Sequence, residues 1–334
     1  MQDTEQKTTP FHRGEVAIQK RYGVDRVTHE IAKQVIRDYM REQHRQFFAK
    51  LPFILVGSVD DAGQPWASIL MGEPGFISSP DEHTLTISSQ PLYGDPLADV
   101  LSTTDAAGRD IGLLGIMLDR SRRNRLNGQI SDQTESGFSV QVTQSFGNCP
   151  KYIQQRGLKP KATAGGTIGG TTATKNIVSG ASLTPRMEQL VSNSDTLFIT
   201  SHFSERNTAN GDSRYNEGVD VSHRGGKPGF VLIENQNTLL IPDFSGNNHF
   251  STLGNLLLNS KAGLLFIDFN NGDLLYLTGT AEVLFETLAT TRFPGAERMI
   301  RFTVNKAIHV QQSLPFVWAF HNYSQFTQLT ADWK

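Results

Sequence analysis

The sequence is poor in cysteine and has no long apolar run. Cys149 is the only cysteine among 334 residues, so no disulfide can form within the chain, and such scarcity is typical of a reducing compartment. No apolar stretch approaches the roughly 20 residues that a membrane-spanning helix needs, and residues 1–12 lack the apolar segment of a secretory signal. We therefore expect a cytoplasmic protein without a membrane partner.

Excess charge and metal-ligand motifs are also missing. The 31 Lys and Arg residues nearly balance the 33 Asp and Glu residues, so the composition does not indicate a nucleic-acid partner. The nine histidines form no spacing such as His-Glu-x-x-His, and no metal site is predicted. The glycine run at residues 164–172 has no preceding strand and no Gly-Lys-Ser/Thr ending, which favours a linker over a phosphate loop.

The sequence does contain many short β-type segments. Stretches rich in Val, Ile, Thr and Phe recur with turn residues between them, which is typical of a barrel or sandwich. We predict a mainly β protein, a β-barrel fold with flanking helices. The predicted strands are residues 51–59, 66–71, 75–77, 84–88, 111–118, 125–131, 137–146, 196–202, 218–223, 229–233, 238–241, 263–269, 274–285 and 299–311.

Helical patterns precede the strands of each half. Apolar residues recur at helical spacing between residues 26 and 50, namely Ile31, Val35, Ile36, Met40, Phe47, Phe48 and Leu51. We predict one or two helices there, covering an end of the first barrel. Thr184 and Pro185 provide an N-cap and a first-turn proline for a helix that runs to about Val191. Trp66, Trp318 and Phe320 are predicted as core or interface aromatics.

The two halves of the sequence repeat four short motifs in the same order. The first two pairs are 154 residues apart and the last two are 151 apart. The pairs are GEPGFI at 72–77 and GKPGFV at 226–231, TLTI at 84–87 and TLLI at 238–241, GLLGI at 112–116 and GLLFI at 263–267, and LNG at 126–128 and LTG at 277–279. A long-period repeat of this kind predicts two copies of one module.

The repeat divides the chain into four parts. We assign residues 1–50 to an N-terminal helical extension and residues 51–160 to a first barrel module. Residues 161–182 are assigned to a Gly/Thr-rich linker and residues 183–334 to a second module. Two tandem modules in one chain are expected to form an intramolecular pseudo-dimer, and the whole chain to be a monomer or a homodimer.

The loop at residues 241–250 (IPDFSGNNHF) carries the clearest site signal. It is rich in Gly and Asn and runs directly into a helix, so its backbone N–H groups and the positive helix end suit an anion such as phosphate. Arg224, in the preceding hairpin, is a candidate to hold the same phosphate in bidentate fashion. The alternative is that the polar side chains of the loop simply satisfy a tight turn.

Several of these motifs resemble the pyridoxamine 5'-phosphate oxidase-like FMN-binding split-barrel family. The similar segments are 221–231 (VSHRGGKPGFV), 240–248 (LIPDFSGNN), 252–259 (TLGNLLLN), 263–267 (GLLFI), 125–128 (RLNG) and 148–153 (NCPKYI). The resemblance covers most of residues 45–156 and 195–320. It implies a split β-barrel with FMN as the usual cofactor, seated where two barrels meet, although heme- and deazaflavin-binding relatives also exist.

Each half keeps polar residues that the other half has lost. At the position of the Asn/Gly loop, the first half has residues 88–95 (SSQPLYGD), which lack paired asparagines and add the carboxylate of Asp95. It also has Ile69-Leu70-Met71 where the second half has His223-Arg224-Gly225. In return, only the first half carries arginines, at 122, 123 and 125, before the LNG motif. We therefore predict one complete site per chain, built from both modules.

The resemblance and the loop chemistry together predict a set of FMN-binding residues. They are Ser222, Arg224, Pro242, Asp243, Gly246, Asn247, Asn248, Thr252 and Asn255 from the second module, with Arg125, Asn127 and Lys151 from the first. No catalytic residue is predicted. The leading interpretation is an FMN-dependent oxidoreductase that acts on a small molecule, with NAD(P)H or another electron donor binding transiently. The alternative is a non-catalytic flavin or heme carrier or sensor.

Overall fold

The computed structural model describes residues 9–102, 106–161, 175–205, 216–286 and 288–333. The helices are α1 (Arg13–Arg21), α2 (Asp25–Val35), α3 (Glu42–Ala49), α4 (Leu97–Ser102), α5 (Pro185–Asn193), α6 (Ser251–Leu258), α7 (Leu288–Thr291) and α8 (Gln325–Gln328). The strands of the first half are β1 (Phe53–Val59), β2 (Pro65–Met71), β3 (Ile77–Ser78), β4 (Thr84–Ile87), β5 (Asp110–Met117), β6 (Arg122–Thr134), β7 (Gly137–Asn148) and β8 (Gln155–Pro160). Those of the second half are β9 (Ile177–Gly180), β10 (Thr196–Phe203), β11 (Gly218–Gly225), β12 (Leu232–Asn235), β13 (Thr238–Asp243), β14 (Lys261–Ile267), β15 (Leu274–Phe285), β16 (Arg298–Val310) and β17 (Phe316–Asn322).

The prediction of a mainly β protein with flanking helices is confirmed. The strands form two large antiparallel sheets with the same strand order. The first sheet runs β2-β1-β5-β6-β7-β4-β3, and the second runs β11-β10-β14-β15-β16-β13-β12. Strands β10 to β16 of the second sheet therefore correspond one by one, in chain order, to strands β1 to β7 of the first sheet.

The two sheets also share a local irregularity. The pairing of β6 with β7 shifts register between Asn127 and Gly128, and the pairing of β15 with β16 shifts between Thr278 and Gly279. A Cβ atom at either glycine would collide with a carbonyl oxygen of the neighbouring strand. Each bulge therefore needs glycine, which explains why the LNG and LTG motifs recur in the sequence.

The two sheets pack against each other along β1, β2 and β5 on one side and β10, β11 and β14 on the other. The contacts are reciprocal, because Gly112 of β5 lies against the backbone of Val219 and Gly263 of β14 lies against the backbone of Pro65. Side chains from both sheets fill this seam, whereas each sheet also encloses a core of its own. The seam is thus a buried interface within one chain.

The N-terminal helices divide between the two halves, with α3, which lies in the predicted range, on the first half and α1, which was not predicted, on the second. Phe47 and Phe48 of α3 are buried in the first core, as predicted. Helix α1, which the periodicity did not predict, packs across α6 in the second half. Gly14 lies against the backbone of Gly254, so the missing side chain allows the two helices to approach closely.

Helix α2 does not bury the predicted apolar side chains. It buries Thr28 and Ala32, whereas Ile31 and Val35 are 52% and 37% exposed. These four residues form one stripe of the helix, and the contact lies along the edge of the stripe that carries the two smaller side chains, so the prediction that Ile31 and Val35 are buried was wrong. Within the described ranges, no helix combines the length and the apolar character needed to cross a membrane.

The region between the halves contains strands that the sequence did not indicate. Part of the predicted linker, Ile177–Gly180, forms β9 and pairs with β16. Strand β8 leaves the first sheet and pairs with β17 near the end of the chain. Residues 164–172, the glycine run on which the linker prediction rested, lie outside the described residues. Trp66 and Trp318 are buried as predicted, but Phe320 is 46% exposed.

Candidate functional site

One cleft lies at the seam, where β11, the loop after β13 and the start of α6 face the start of β6 and the end of β7. It encloses about 120 Å³. The predicted residues that line it are Arg125, Lys151, Ser222, Arg224, Pro242, Asp243, Gly246, Asn247, Asn248 and Thr252. The other two predicted residues, Asn127 and Asn255, do not line the cleft. The structure therefore brings together side chains that are far apart in the sequence, from both halves of the chain.

Positive charge dominates the lining of the cleft. Five cationic side chains and one carboxylate contribute to it: Arg123, Arg125, Lys151, Arg224, Arg298 and Asp243. The two histidines of the lining add no charge at neutral pH. Burial lowers the pKa of His223 well below its ordinary value and lowers that of His249 to about 4. The cleft thus has the electrostatic character of an anion site.

Asp243 holds two of the arginines in place. It is 2% exposed, and its Oδ1 accepts a hydrogen bond from Nη1 of Arg224. Its Oδ2 accepts a hydrogen bond from Nε of Arg298 at 2.7 Å. The guanidinium of Arg298 lies 4.8 Å from the ring centroid of Tyr22 and 5.0 Å from that of Phe250. Asp243 therefore orients Arg224 at the cleft wall, and Arg298 holds Asp243 in place through the other carboxylate oxygen.

A second carboxylate, Asp220, organises the other predicted residues from behind the cleft wall. It is 8% exposed, and its Oδ1 accepts hydrogen bonds from Arg125 Nη1 and Asn127 Nδ2, both at 2.8 Å. Its Oδ2 accepts one from Asn255 Nδ2 at 3.2 Å. These bonds explain why Asn127 and Asn255 lie near the site without lining it. Sequence reasoning missed Asp220, although it shares one face of β11 with Ser222 and Arg224.

The Asp220 network reaches the cleft through Ser222. Arg125 Nη2 donates to the hydroxyl of Ser222, and Thr252 Oγ1 donates to the same oxygen at 3.0 Å. Arg125 belongs to β6, Ser222 to β11 and Thr252 to α6. One hydrogen-bonded chain therefore fixes the first half of the protein against the helix that follows the Asn/Gly loop.

Arg123 makes a separate contact between the halves. Its Nε donates to the carbonyl oxygen of Cys149 at 2.7 Å, and its Nη1 lies 3.1 Å from Nδ1 of His223. A guanidinium can only donate, so Nδ1 of His223 is the acceptor and its proton is on Nε2. Burial, with Arg125 and Arg224 nearby, lowers the pKa of Arg123 to about 10, and the group stays charged at neutral pH.

The Asn/Gly loop reaches across the seam and ends in an uncapped helix. Asn247 Nδ2 donates to Asn148 Oδ1 of the first half at 3.1 Å. Asn248 and Phe250 both have φ of 61°, in the left-handed region that a bulky residue such as phenylalanine adopts only at a cost. Helix α6 begins at Ser251, and its N-cap residue makes no side-chain capping bond in the described part of the chain. Its first N–H groups therefore suit an anion.

The N-terminal segment also supports this loop, and no sequence motif predicted that contact. Gln19 Nε2 donates to the carbonyl oxygen of His249 at 3.3 Å, and the ring of Phe11 lies 5.4 Å from the ring of His249. Glu15 is buried close to Ser251. Burial, reinforced by Asp220, raises the pKa of Glu15 well above its ordinary value, which favours its uncharged form.

The position that corresponds to the cleft in the other half is filled. Asp95 is 2% exposed, and its Oδ1 accepts hydrogen bonds from Ser68 Oγ at 2.5 Å and from the Leu97 N–H at 2.9 Å. Its Oδ2 accepts one from the hydroxyl of Tyr276 at 3.2 Å. By the repeat, Ser68 corresponds to Ser222 and Tyr276 to Arg125. The phenol of Tyr276 thus stands where Arg125 stands in the other half, and the carboxylate of Asp95 is buried beside it.

We expect Asp95→Asn to change how the free energy of unfolding depends on pH. Burial raises the pKa of Asp95 from 3.8 to about 6, and hydrogen bonds from Ser68, Leu97 and Tyr276 only partly offset this. Between about pH 4 and pH 6 the folded chain therefore keeps a proton that the unfolded chain has lost, so stability falls as the pH rises. The variant cannot ionise, and urea unfolding should show it to be more stable than the wild type at pH 8.

The pH series needs a control for the other carboxylates. Asp99→Asn removes an exposed carboxylate from the neighbouring helix α4, and its curve should run parallel to that of the wild type. If the Asp95→Asn curve is also parallel, the proton assigned to Asp95 is not there.

No protein-family model matches this sequence, and neither does any curated protein. Among solved structures, a candidate pyridoxamine 5'-phosphate oxidase from Lactobacillus delbrueckii aligns with a TM-score of 0.31 and 12% identity, covering 40% of this chain and 98% of its own. HupZ of Group A Streptococcus aligns with a TM-score of 0.29 and 14% identity, covering 39% of this chain and 95% of its own. A Clostridium acetobutylicum protein related to general stress protein 26 aligns with a TM-score of 0.27 and 14% identity, covering 40% of this chain and 92% of its own. At these TM-scores the similarity carries no argument about function.

Proposed function

We propose that the chain binds FMN in the seam cleft, with the phosphate at the start of α6, and that it is a flavin-dependent oxidoreductase acting on a small molecule. The observation that carries the proposal is a set of buried donors without acceptors. In the described part of the chain, Nε of Arg125, Nε of Arg224 and Nη1 of Arg298 have no hydrogen-bond partner. Buried donors of this kind are costly unless something supplies an acceptor, and a phosphate supplies several.

The residues fit the phosphate better than they enclose a whole flavin. The enclosed 120 Å³ is below the range of about 300–1,000 Å³ for small-molecule sites. The remainder of the ligand would extend along the open mouth, where Ser245, Gly246 and Asn247 are exposed. Lys151 and Tyr152 border the same mouth, and we assign them to the part of the ligand that lies beyond the phosphate.

We further propose that the two sheets are duplicated modules and that the chain holds one FMN. The shared strand order, the matching bulges and the sequence repeat support a duplication. The filled position around Asp95, Ser68 and Tyr276 supports a single site, because it offers no cation and is packed with buried side chains. In this arrangement the chain is its own pseudo-dimer, with the flavin between the modules.

When bound, the flavin supplies the redox chemistry, and the protein sets its binding, orientation and access. Arg224 and the start of α6 would neutralise the phosphate. Arg123 and Arg125 would fix the first module against the ligand and keep the seam positively charged. A small-molecule substrate and an electron donor such as NAD(P)H would share the open mouth.

Titration of the protein with FMN tests the proposal. We expect saturable quenching of flavin fluorescence at one equivalent per chain and a rise in melting temperature. FMN at 100 times its dissociation constant should stabilise the folded chain by about 2.7 kcal/mol. Riboflavin, which lacks the phosphate, is the matched control and should bind more weakly. No quenching and no thermal shift would remove FMN as the ligand.

Reduction of the bound flavin separates an enzyme from a carrier. We expect NAD(P)H, added without oxygen, to bleach the visible absorbance of bound FMN, and re-oxidation to follow when an acceptor is added. A flavin that binds but is not reduced by any donor would support the non-catalytic carrier or sensor.

A further inference from the structure

A second cavity lies between α5, the turn that joins β14 to β15, and β17. It encloses about 430 Å³, within the range of about 300–1,000 Å³ for small-molecule sites. It shares no lining residue with the seam cleft. Although it is the larger of the two, it lacks a surplus of cations, because Arg156 and Arg186 face Asp195, Asp268 and Asp273. It therefore does not suit a phosphate.

Arg156 provides the unusual feature of this cavity. The residue is 7% exposed, and Nη2 donates to Asp195. Its guanidinium carbon lies 4.3 Å from the ring centroid of Phe269 and 5.5 Å from that of Phe320. Nη1 is buried and has no partner in the described part of the chain. A guanidinium enclosed by rings, with one donor unused, calls for an acceptor from outside the protein.

The carboxylates of the cavity are already supplied with donors. Asp195 also accepts from Thr196 Oγ1 at 2.9 Å. Asp273 accepts from Arg186 at 2.9 Å and interacts with His309 at 3.0 Å. Asp268 Oδ1 accepts from the N–H groups of Asn270 and Asn271 at 2.9 and 3.3 Å. A ligand cation would therefore meet carboxylates that already accept hydrogen bonds, and a ligand anion would approach three of them. The polar side of the cavity therefore selects a neutral group that accepts a hydrogen bond.

Aromatic side chains form the other side. Trp318 is buried and packs edge-on against Phe269 at 5.3 Å between ring centroids. Phe320 and Tyr323 are 46% and 36% exposed, with ring centroids 4.6 Å apart. Exposed aromatic rings beside a cavity suit a planar ring that can stack on them.

We propose that this cavity is a second binding site, for a neutral planar aromatic molecule that carries a carbonyl or amide acceptor. The ring would pack against Phe320 and Tyr323, and the acceptor would take the unused Nη1–H of Arg156. The site is independent of the proposed FMN site, since the cavities have separate linings.

Three probes with the same ring and different charge test this proposal on the full chain. Benzamide is neutral and carries an acceptor, benzamidine is a cation without one, and benzoate is an anion. By ligand-observed NMR or calorimetry we expect benzamide to bind with a dissociation constant of about 1 mM, as suits so small a ligand. Benzamidine and benzoate should each bind at least several-fold more weakly.

The location of the proposed binding site is tested with Phe320→Ala, a variant chosen because this side chain is half exposed and lies outside the core. We expect it to weaken benzamide binding by roughly 3- to 10-fold. The matched control is Tyr93→Ala, an aromatic side chain that is 41% exposed and lines neither cavity, and it should have no effect. Absence of benzamide binding, equal binding to Phe320→Ala, or tighter binding of either charged probe would overturn the proposal.

Discussion

Replacing Asp220 by alanine is expected to lower the free energy of unfolding by about 3–5 kcal/mol, because it breaks a buried ion pair by removing one partner. Arg125 is 5% exposed and would keep its hydrogen bond to the hydroxyl of Ser222. Its buried charge would lose the carboxylate that now accepts its other hydrogen bond. Asn127 and Asn255 would lose an acceptor at the same time.

A double-mutant cycle tells whether the loss comes from the ion pair itself. Arg125→Met removes the charge and keeps much of the side-chain volume. Asp220→Ala together with Arg125→Met should cost less than the two single variants added together, because no uncompensated charge is left. Asp132→Ala removes an exposed carboxylate of β6 and should change stability by less than about 0.5 kcal/mol. Additive costs in the cycle would contradict the ion-pair explanation.

The strands and the repeat were predictable from the sequence because they depend on local pattern. Apart from β8 and β9, the strands from β1 to β16 lie within a few residues of the predicted boundaries, and the LNG and LTG motifs mark bulges that need glycine at the same place. Where a predicted strand is too short, as at the second end of β6, the missing residues 132–134 are polar and exposed. Residues such as Asp132 carry no apolar alternation, so periodicity could not extend the strand to them.

The elements that were not predicted depend on partners far away in the chain. Strand β8 is formed by residues 155–160, which pair with β17 more than 150 residues later. Helix α1 owes its position to Gly14, which allows close approach to Gly254. Neither partner is visible in a local window of sequence. For the same reason, the apolar spacing of α2 did not predict which residues of its stripe are buried.

The sequence predicted those cleft residues that belong to a recognisable local motif, and it did not predict the contacts between them. The loop with Asn247 and Asn248 and the arginine at 224 could be recognised by residue type and spacing. Their contacts with distant residues could not, since Asp220 and Arg125 are 95 positions apart and Arg298 has no motif around it. Sequence reasoning therefore identified groups that suit a ligand, Asp243 among them, and missed Asp220 and Arg298, which hold these groups in position.

The two carboxylates explain why so many cations can share one small cleft. Asp243 fixes Arg224 and Arg298, and Asp220 fixes Arg125, so the remaining N–H groups of these guanidiniums are fixed in direction before a ligand arrives. This arrangement lowers the ordering cost of binding, because the side chains need not be immobilised by the ligand. It also predicts that the cleft arginines differ in importance, and that the one nearest the proposed phosphate has the largest effect on affinity.

Arg224→Ala is expected to weaken FMN binding by roughly 10- to 150-fold, the equivalent of about 1.5–3 kcal/mol for a charge-assisted hydrogen bond. The loss has two causes. The phosphate loses a cation, and Asp243 loses one of its two arginine partners and faces the cleft with less compensation. Arg224→Lys keeps the charge but not the bidentate geometry, so its affinity should lie between those of the wild type and the alanine variant.

The measurement is fluorescence quenching by each variant with FMN and with riboflavin. If Arg224 contacts the phosphate, its removal weakens FMN strongly and riboflavin little, because riboflavin has no phosphate to lose. Arg301→Ala is the control, since this arginine of β16 is 42% exposed, pairs with Glu234 on the surface and is not part of the cleft. Equal losses for FMN and riboflavin would show that Arg224 supports the cleft without touching the phosphate, and an unchanged FMN affinity would remove it from the site.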